Sequence, residues 1–593
     1  MNTEEATLTR SKTPSREDRE VLKLNPAIHR RILNFINEAV QPEDLMYEKM
    51  TAVHDEGNLM HEDNPEELMA KRKKILSQDA AKAIIELRDR TYPLGFRNIK
   101  EVLDVTRLDR NIFDTLFHHF SDMFFGSWSI FPQNIPRRGP GSYDGVVHAA
   151  LLHTGKVLFI TADETTLLWD PENTTAATFE NPVNQPHTMP GGYSQLCGHH
   201  VFLSDGQLLS LGGGGYGPNS LARWGYKFNP ATQTWTRTGG AMSESKWYPT
   251  AVALGDKRVL VTCGNTAGHM DIYDEATDTF SEVTSGDNRG FPNLYPGLHL
   301  LPNHAIFYSR TGWGSAGAGG SATADNQSAY FSFSGPNAGT WNNITNAMTN
   351  RAKGMSVMLL SNTAPYVRIM AMGGVDNSTN NTYETIDASI LSSASTWSAP
   401  IAFPDGEHRS LCSAVLLPDG NLFLAGGISR THSPCTLFSP PADSWSPMAA
   451  LPSIRDYHSV SLLLPSGKVM MAGWNNTKIE IYSPTYLFRG ARPAISAAPS
   501  LVHHGQSFVI ESPDAASIVK VVLMRPMAVT HQTESEQKIL EMPYIHDHVH
   551  PSKLTLTAPH GGHPHSLAQQ GYYMMFAINN VGVPSVAKWI YLH

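Results

Sequence analysis

Cysteine is scarce in this chain of 593 residues, with only Cys197, Cys263, Cys412 and Cys435. Four thiols without a CxxC pair exclude a disulfide framework and a CxxC zinc module. Charge is thin as well: 17% of residues are charged and the net charge is −9. That excludes a coiled coil and a long disordered chain, and leaves no global attraction for nucleic acid or an anionic membrane. No run of about 18 apolar residues occurs, so no transmembrane helix is expected. The opening MNTEEATLTRSKTPSREDRE lacks the apolar segment of a secretory signal peptide. A P-loop and a dinucleotide fingerprint are missing too.

The residues that are plentiful point to β structure. Hydrophobic residues make up 41%, with 47 Gly, 39 Pro, 20 Tyr and 11 Trp. A low-charge, turn-rich, aromatic composition suits a large all-β core, and the length calls for two to four domains. Histidine, at 26 residues, raises the question of metals.

The chain divides into four stretches. Residues 1–22 read as a solvated tail. Residues 23–126 read as helical: Ile28, Ile32, Leu33 and Ile36 share one face after an Asn25-Pro26 start. AAKAIIELRDR (80–90) then leads into FRNIKEVLDVTRLDRNIFDTLFHHF (96–120), a helix-hairpin-helix-like rhythm. Its turn, Thr106-Arg107-Leu108-Asp109, lacks the glycines that let a phosphate approach backbone amides, so packing is favoured over DNA binding.

In residues 127–490 one phrase recurs: an apolar run, a tight turn, and a second apolar run ending in Gly. It stands in VVHAALLHTGKVLFITA (146–162), HHVFLSDGQLLSLGGGG (199–215), TAVALGDKRVLVTCGN (250–265) and GLHLLPNHAIFYSRTG (297–312). It returns in MSVMLLSNTAPYVRIMAMGG (355–374), CSAVLLPDGNLFLAGG (412–427) and HSVSLLLPSGKVMMAGW (458–474). A spacing of about fifty residues is the kelch period, and seven copies predict a seven-bladed β-propeller. Alternating strands over 491–593 predict an immunoglobulin-like β-sandwich.

A propeller is a scaffold, so chemistry has to come from particular residues. Cys197 in SQLCGHH, Trp247 and Tyr248 in SKWYPT, Tyr457 and His458 in RDYHS, and His531 in AVTHQT stand at the starts of inner strands or in the sandwich. Singly, each is an ordinary packing residue. As an ordered set they resemble the copper-radical oxidases, the family of galactose oxidase and glyoxal oxidase. The resemblance spans about residues 127–593, with RDYHSVSLLLPSGKV, IYSPTYLFRGARP and GYYMMFAINNVGVPSVAKWI as its best stretches.

That resemblance implies one copper ion held by Tyr248, Tyr457, His458 and His531, since imidazole and phenolate suit Cu(II). It implies a Cys197–Tyr248 thioether acting as a built-in radical cofactor, and Tyr457 as the weak axial ligand and general base. The implied reaction oxidises a primary alcohol, or a small aldehyde as its hydrate, while O2 becomes hydrogen peroxide. The chain departs from the family at the tryptophan that covers the thioether in galactose oxidase. CGNTAGH stands there, with Thr266 near the place, and Trp313 or Trp247 are the aromatics at hand. The arginine and glutamine used for galactose have no counterpart, and LCGHH and WYPT look nearer to glyoxal oxidases.

HDHVH (546–550) and HGGHPH (560–565) read as exposed loops or as a second metal-gathering segment. Cys412 and Cys435 fall in one predicted blade, which leaves a disulfide between them open, since spacing does not fix the geometry a bridge needs, and Cys263 reads as a buried thiol. The rival function is a non-catalytic kelch propeller that binds carbohydrate or protein. The family resemblance implies an extracellular monomer, with six N-x-Ser/Thr patterns at Asn173, Asn326, Asn343, Asn377, Asn380 and Asn475. The charged N-terminus points to the cytoplasm instead.

Overall fold

The computed structural model describes residues 26–593 except 42, 47–75, 93, 98–100, 103–115, 117–119, 137–144, 190–193, 215–221, 263–268, 284, 287–293, 313–327, 346–348, 365, 375–379, 428–433, 474–475 and 562–566. It forms two compact units, one of residues 1–126 with 488–491 and one of the remainder.

The first unit is helical where described. Helices run over Pro26–Glu38, Glu43–Met46 and Gln78–Thr91. Ile32 and Ile36 are buried together with Ile84 and Ile85, so the apolar stripe faces the second long helix. Arg88 of that helix donates 2.6 Å hydrogen bonds to the carbonyls of Ile36 and Ala39, satisfying groups that the end of the first helix leaves open. The turn at 106–109, and most of the helix expected over 96–120, lie outside the described residues.

The second unit is almost entirely strand. Among the described residues, seven sheets follow one another in chain order, antiparallel except for the short strand Ser285–Gly286, which pairs parallel to Ala338–Asn343, and each recurrent phrase forms the first hairpin of one of them. Segments such as YKFNPATQTW supply the second hairpin, Trp224–Asn229 against Thr234–Ala241. First strands such as Val146–Leu151, Gly198–Phe202 and Ser459–Leu463 are buried along their whole length. Sheets covered on both faces produce that pattern, which explains the unbroken apolar runs. The last of the seven sheets takes Ser127–Ile130 as its outer strand, paired with Glu480–Ser483.

After residue 491 two further sheets form, one of five strands and one of three. Between them lie Val521, Leu523, Leu554, Leu556, Tyr573 and Ile590. One hairpin leaves this region: Ala528–Thr530 pairs with Val146–Leu151 and so joins the first of the seven sheets. The Cys412–Cys435 disulfide that the sequence left open is not formed. Both are separate buried thiols, and Cys412 Sγ lies 3.8 Å from Met355 Sδ. Cys263 lies outside the described residues.

Candidate metal centre

Cys197, Tyr248, Tyr457 and His458 sit where loops enter first strands, His531 sits in a hairpin turn, and two of the loops are held by buried charge. Arg455, two residues before Tyr457, bonds Glu480 at 2.8 Å and the Lys478 carbonyl at 2.9 Å, with both charged side chains at 0% exposure. Lys246, two residues before Tyr248, lies 3.1 Å from buried Asp271. Removing one partner of such a pair leaves an uncompensated buried charge, so these anchors fix the loops firmly.

The backbone adds a second constraint. Cys197, Tyr248, His458 and His531 have φ of 64°, 57°, 66° and 48°. Left-handed backbone is uncommon for such side chains, and Tyr295, Lys353 and Leu411, at the entries to first strands of other sheets, share it at 47°, 58° and 56°, so the conformation belongs to the way these loops enter their sheets. Gly473 is left-handed too, and a Cβ there would stand 2.2 Å from the His458 carbonyl oxygen. Only glycine lets this strand pass so close beneath the histidine.

These loops bring four donor side chains together. The Tyr248 and Tyr457 hydroxyls are hydrogen-bonded to each other. The rings of His458 and His531 meet perpendicularly at 4.5 Å, and that of His531 lies 4.8 Å from Tyr248 and 5.2 Å from Tyr457. His531 heads the hairpin from the C-terminal region. With Gln532 (φ 63°) it forms a two-residue turn whose positive φ values match a type I′ geometry. Thr530 Oγ1 lies 2.6 Å from His531 Nδ1, which orients the ring so that Nε2 is the other available nitrogen. Gln532 Nε2 donates to the carbonyls of Asp456 and Ser459 at 3.2 and 3.3 Å, tying the hairpin tip to the Tyr457–His458 segment.

Cys197 completes the group. Its thiol packs against Tyr248 and Trp247, and its carbonyl accepts from the Tyr248 N–H at 2.9 Å. Burial pushes the thiol up to about 11 and raises the Tyr248 phenol further above its usual range. Two aromatic rings lie nearly parallel to Tyr248: Trp247 at 4.2 Å and 16°, and Tyr295 at 4.4 Å and 21°. Trp247 therefore covers the ring, while Trp313 and Thr266 lie outside the described residues. Tyr295 was not singled out by sequence. Its hydroxyl donates to the Gly198 carbonyl at 2.8 Å and its N–H to the Tyr248 carbonyl at 2.7 Å. The available signal was its position, since LYPGLHL opens a recurrent phrase just as WYPTAVAL does.

The donor set suits copper. His458 Nε2 is buried with no hydrogen-bond partner, and burial lowers the His458 pKa to about 4, leaving a neutral imidazole with an open lone pair. Two neutral imidazoles and two phenols match the imidazole and oxygen ligation of Cu(II). Among the described residues no three His, Cys, Asp or Glu side chains form a metal cluster, so a metal here needs the tyrosines. In the loop 546–550, His550 pairs with Asp547 at 3.1 Å. Histidines 563 and 565 lie outside the described residues.

Buried neutral histidines carry a pH consequence. His200, behind this site, is held at about 4 by burial against an ordinary value of 6.5. Between those values the unfolded chain binds more protons than the folded one, so stability falls as pH is lowered through the window. Between pH 7 and pH 4.5 we expect a loss of about 2 kcal/mol from His200 alone in the metal-free protein. Urea midpoints at about pH 7 and pH 4.5 measure it, and equal midpoints would contradict it.

Comparison with known proteins points to one group of oxidases. Residues 492–592 match the family model "Galactose oxidase-like, Early set domain". The chain is 27% identical over 459 residues to "Aldehyde oxidase GLOX" of Vitis pseudoreticulata, covering 67% of this chain and 81% of that protein. It is 26% identical over 447 residues to galactose oxidase of Gibberella zeae, covering 67% of this chain and 61% of that protein, less than two thirds of its length. A fungal alcohol oxidase solved with copper shares the fold, with a TM-score of 0.62 and 19% identity over 79% of this chain and 99% of that one. The chain is similar to galactose oxidase and to proteins named aldehyde oxidase, and these likenesses support the resemblance to the copper-radical oxidases.

Proposed function

We propose that this protein is a copper-radical oxidase that converts a primary alcohol to an aldehyde, or a hydrated small aldehyde to an acid, with O2 becoming hydrogen peroxide. The carrying observation is the convergence of Cys197, Tyr248, Tyr457, His458 and His531, drawn from three loops and a hairpin, four of them in left-handed backbone. In this reading the seven sheets are the blades of a kelch-type propeller over 127–490, and the sandwich of 491–593 contributes His531 through the hairpin. The helical region of 23–126 stands outside the catalytic unit.

Tyr248, Tyr457, His458 and His531 would hold the copper, which when bound supplies a one-electron redox partner and the place where substrate and O2 are held. The chain's own residues do the rest. Cys197 Sγ joins a ring carbon of Tyr248 through a thioether, the S–H and ring C–H hydrogens passing to O2 as the two-electron oxidant, and sulfur on the ring makes the phenoxyl radical easier to form. Trp247 and Tyr295 shield that ring. Tyr457 accepts the hydroxyl proton of the substrate, and the Tyr248 oxygen radical takes a hydrogen atom from the adjacent carbon. The relatives named as aldehyde oxidases favour small aldehydes or alcohols over galactose. By the same likeness we assign an extracellular monomer.

The test is peptide mass mapping after aerobic Cu(II) loading. A Cys197–Tyr248 peptide pair lighter by two hydrogens is expected. Separate peptides from folded, copper-loaded protein would leave the binding-scaffold reading in its place. Tyr457→Phe separates the base from the cofactor: peroxide production should fall about 10²- to 10⁴-fold, the range of general base catalysis, with the cross-link intact. Unchanged turnover would remove Tyr457 from the proton step.

A further inference from the structure

The two rings that cover Tyr248 are held differently. Trp247 is the chain neighbour of Tyr248 and rides on the same loop. Tyr295 comes from the next sheet, just before the strand Leu298–Leu300, and is 1% exposed. It touches both members of the expected thioether. Its N–H donates to the Tyr248 carbonyl at 2.7 Å, and its hydroxyl donates to the carbonyl of Gly198, the residue after Cys197, at 2.8 Å. The same hydroxyl faces Thr530, whose Oγ1 orients His531. The Tyr295 ring lies 4.4 Å from that of Tyr248 and 4.8 Å from that of His531.

These contacts decide how sulfur can meet the ring. The Cys197 thiol lies beside the Tyr248 hydroxyl and the Trp247 indole N–H, at the edge of the phenol ring next to its oxygen. Trp247 and Tyr295 occupy the two faces at 4.2 and 4.4 Å, so sulfur reaches Tyr248 only in the plane of the ring. The ring C–H that a thioether replaces lies in that plane. Tyr295 braces both backbones that set this approach, one bond at Tyr248 and one directly after Cys197. Packing alone needs only a phenylalanine at this position. The hydroxyl adds a directional bond beside Cys197.

We propose that Tyr295 is the positioning residue for the cross-link, holding Cys197 at the edge of the Tyr248 ring through its hydroxyl and closing the second face of that ring with its own. The inference rests on the oxidase reading of this site. In the step it serves, a C–S bond forms while the Cys197 S–H bond and one ring C–H bond of Tyr248 break, and the two hydrogens with their electrons reduce O2 to hydrogen peroxide. Misplacing reacting groups by about 1 Å costs about a hundredfold in rate, so losing the hydroxyl bond shows in how fast the C–S bond forms.

The test adds Cu(II) and air to the full-length, metal-free protein, quenches samples over time with acid and chelator, and follows the Cys197–Tyr248 peptide pair by mass. Tyr295→Phe should bind copper in the wild-type ratio and melt near wild type, yet form the cross-link about 10- to 100-fold more slowly. Once formed, its cross-link should give the radical absorption of the wild type, a signature that a distorted site would not reproduce. Tyr295→Leu, without ring or hydroxyl, should be at least as slow, and either variant decides if the other does not fold. Variants that cross-link at the wild-type rate would overturn the inference and leave the oxidase reading intact. A rate that falls only together with copper occupancy or melting temperature would overturn it too, since Tyr295 would then be packing. No cross-link in the wild type would reject the oxidase reading and this inference with it.

Discussion

Replacing Cys197 with serine is expected to abolish most oxidase activity while leaving copper binding unchanged. Serine keeps the size and polarity of the position but cannot form a thioether, so Tyr248 remains an ordinary phenol. Cys197 is not one of the four metal donors, and the Tyr248–Tyr457 hydroxyl pair and the His458–His531 contact do not depend on its side chain. The backbone is also preserved, since the Cys197 carbonyl still accepts from the Tyr248 N–H, and serine tolerates the positive φ no worse than cysteine. We expect kcat/KM for a small aldehyde to fall at least about a thousandfold, or about 4 kcal/mol of transition-state stabilisation. Copper stoichiometry and the melting temperature should stay near wild type. Peroxide assays, metal analysis and a melting curve on one preparation check all three. A Cys197→Ser enzyme with normal turnover would show that the sulfur has no part in the chemistry.

The same residues explain what sequence could reveal. The recurrent phrases were legible because each fully buried first strand is an unbroken apolar run, and each Gly-bounded turn marks its hairpin. Cys197, Tyr248, Tyr457, His458 and His531 stood out only as an ordered set, through its resemblance to the copper-radical oxidases; singly, each reads as a packing residue. Tyr295 did not, because a tyrosine opening a strand is indistinguishable from packing until its ring is seen beside Tyr248. Lys246 and Arg455 were hidden for a related reason. Their partners, Asp271 and Glu480, lie on later strands of the same sheets, and pairing across a sheet leaves no local signature. Sharing a predicted blade did not make Cys412 and Cys435 a disulfide, since common membership of a sheet says nothing about the Cβ geometry a bridge requires.

His531→Ala is expected to remove both the copper and the cross-link, although it touches neither Cys197 nor the chemistry of Tyr248. The hairpin that carries His531 originates beyond residue 491, runs beside Val146–Leu151, and places the imidazole 4.5 Å from His458. Its ring is 1% exposed and is oriented by Thr530 at 2.6 Å. Losing a group that merely orients a ligand weakens metal binding by about 10- to 100-fold, so losing the ligand itself should weaken copper(II) binding by more than about 100-fold. The thioether in this reading is made by bound copper with oxygen, so peptide mapping of aerobically treated His531→Ala should recover Cys197 and Tyr248 on separate peptides. Peroxide production should fall below detection. The truncation leaves a cavity, so some stability is lost in neutral solution. The burial that lowers the His531 pKa also costs stability in acid, and the alanine variant should be less sensitive as pH falls below about 6.5. His531→Gln serves as the control that fills the space without restoring an imidazole, and it should behave like the alanine variant toward copper while melting closer to wild type. A His531→Ala protein that still binds copper tightly and still forms the cross-link would mean that the hairpin only braces the centre. The metal would then rest on Tyr248, Tyr457 and His458 alone.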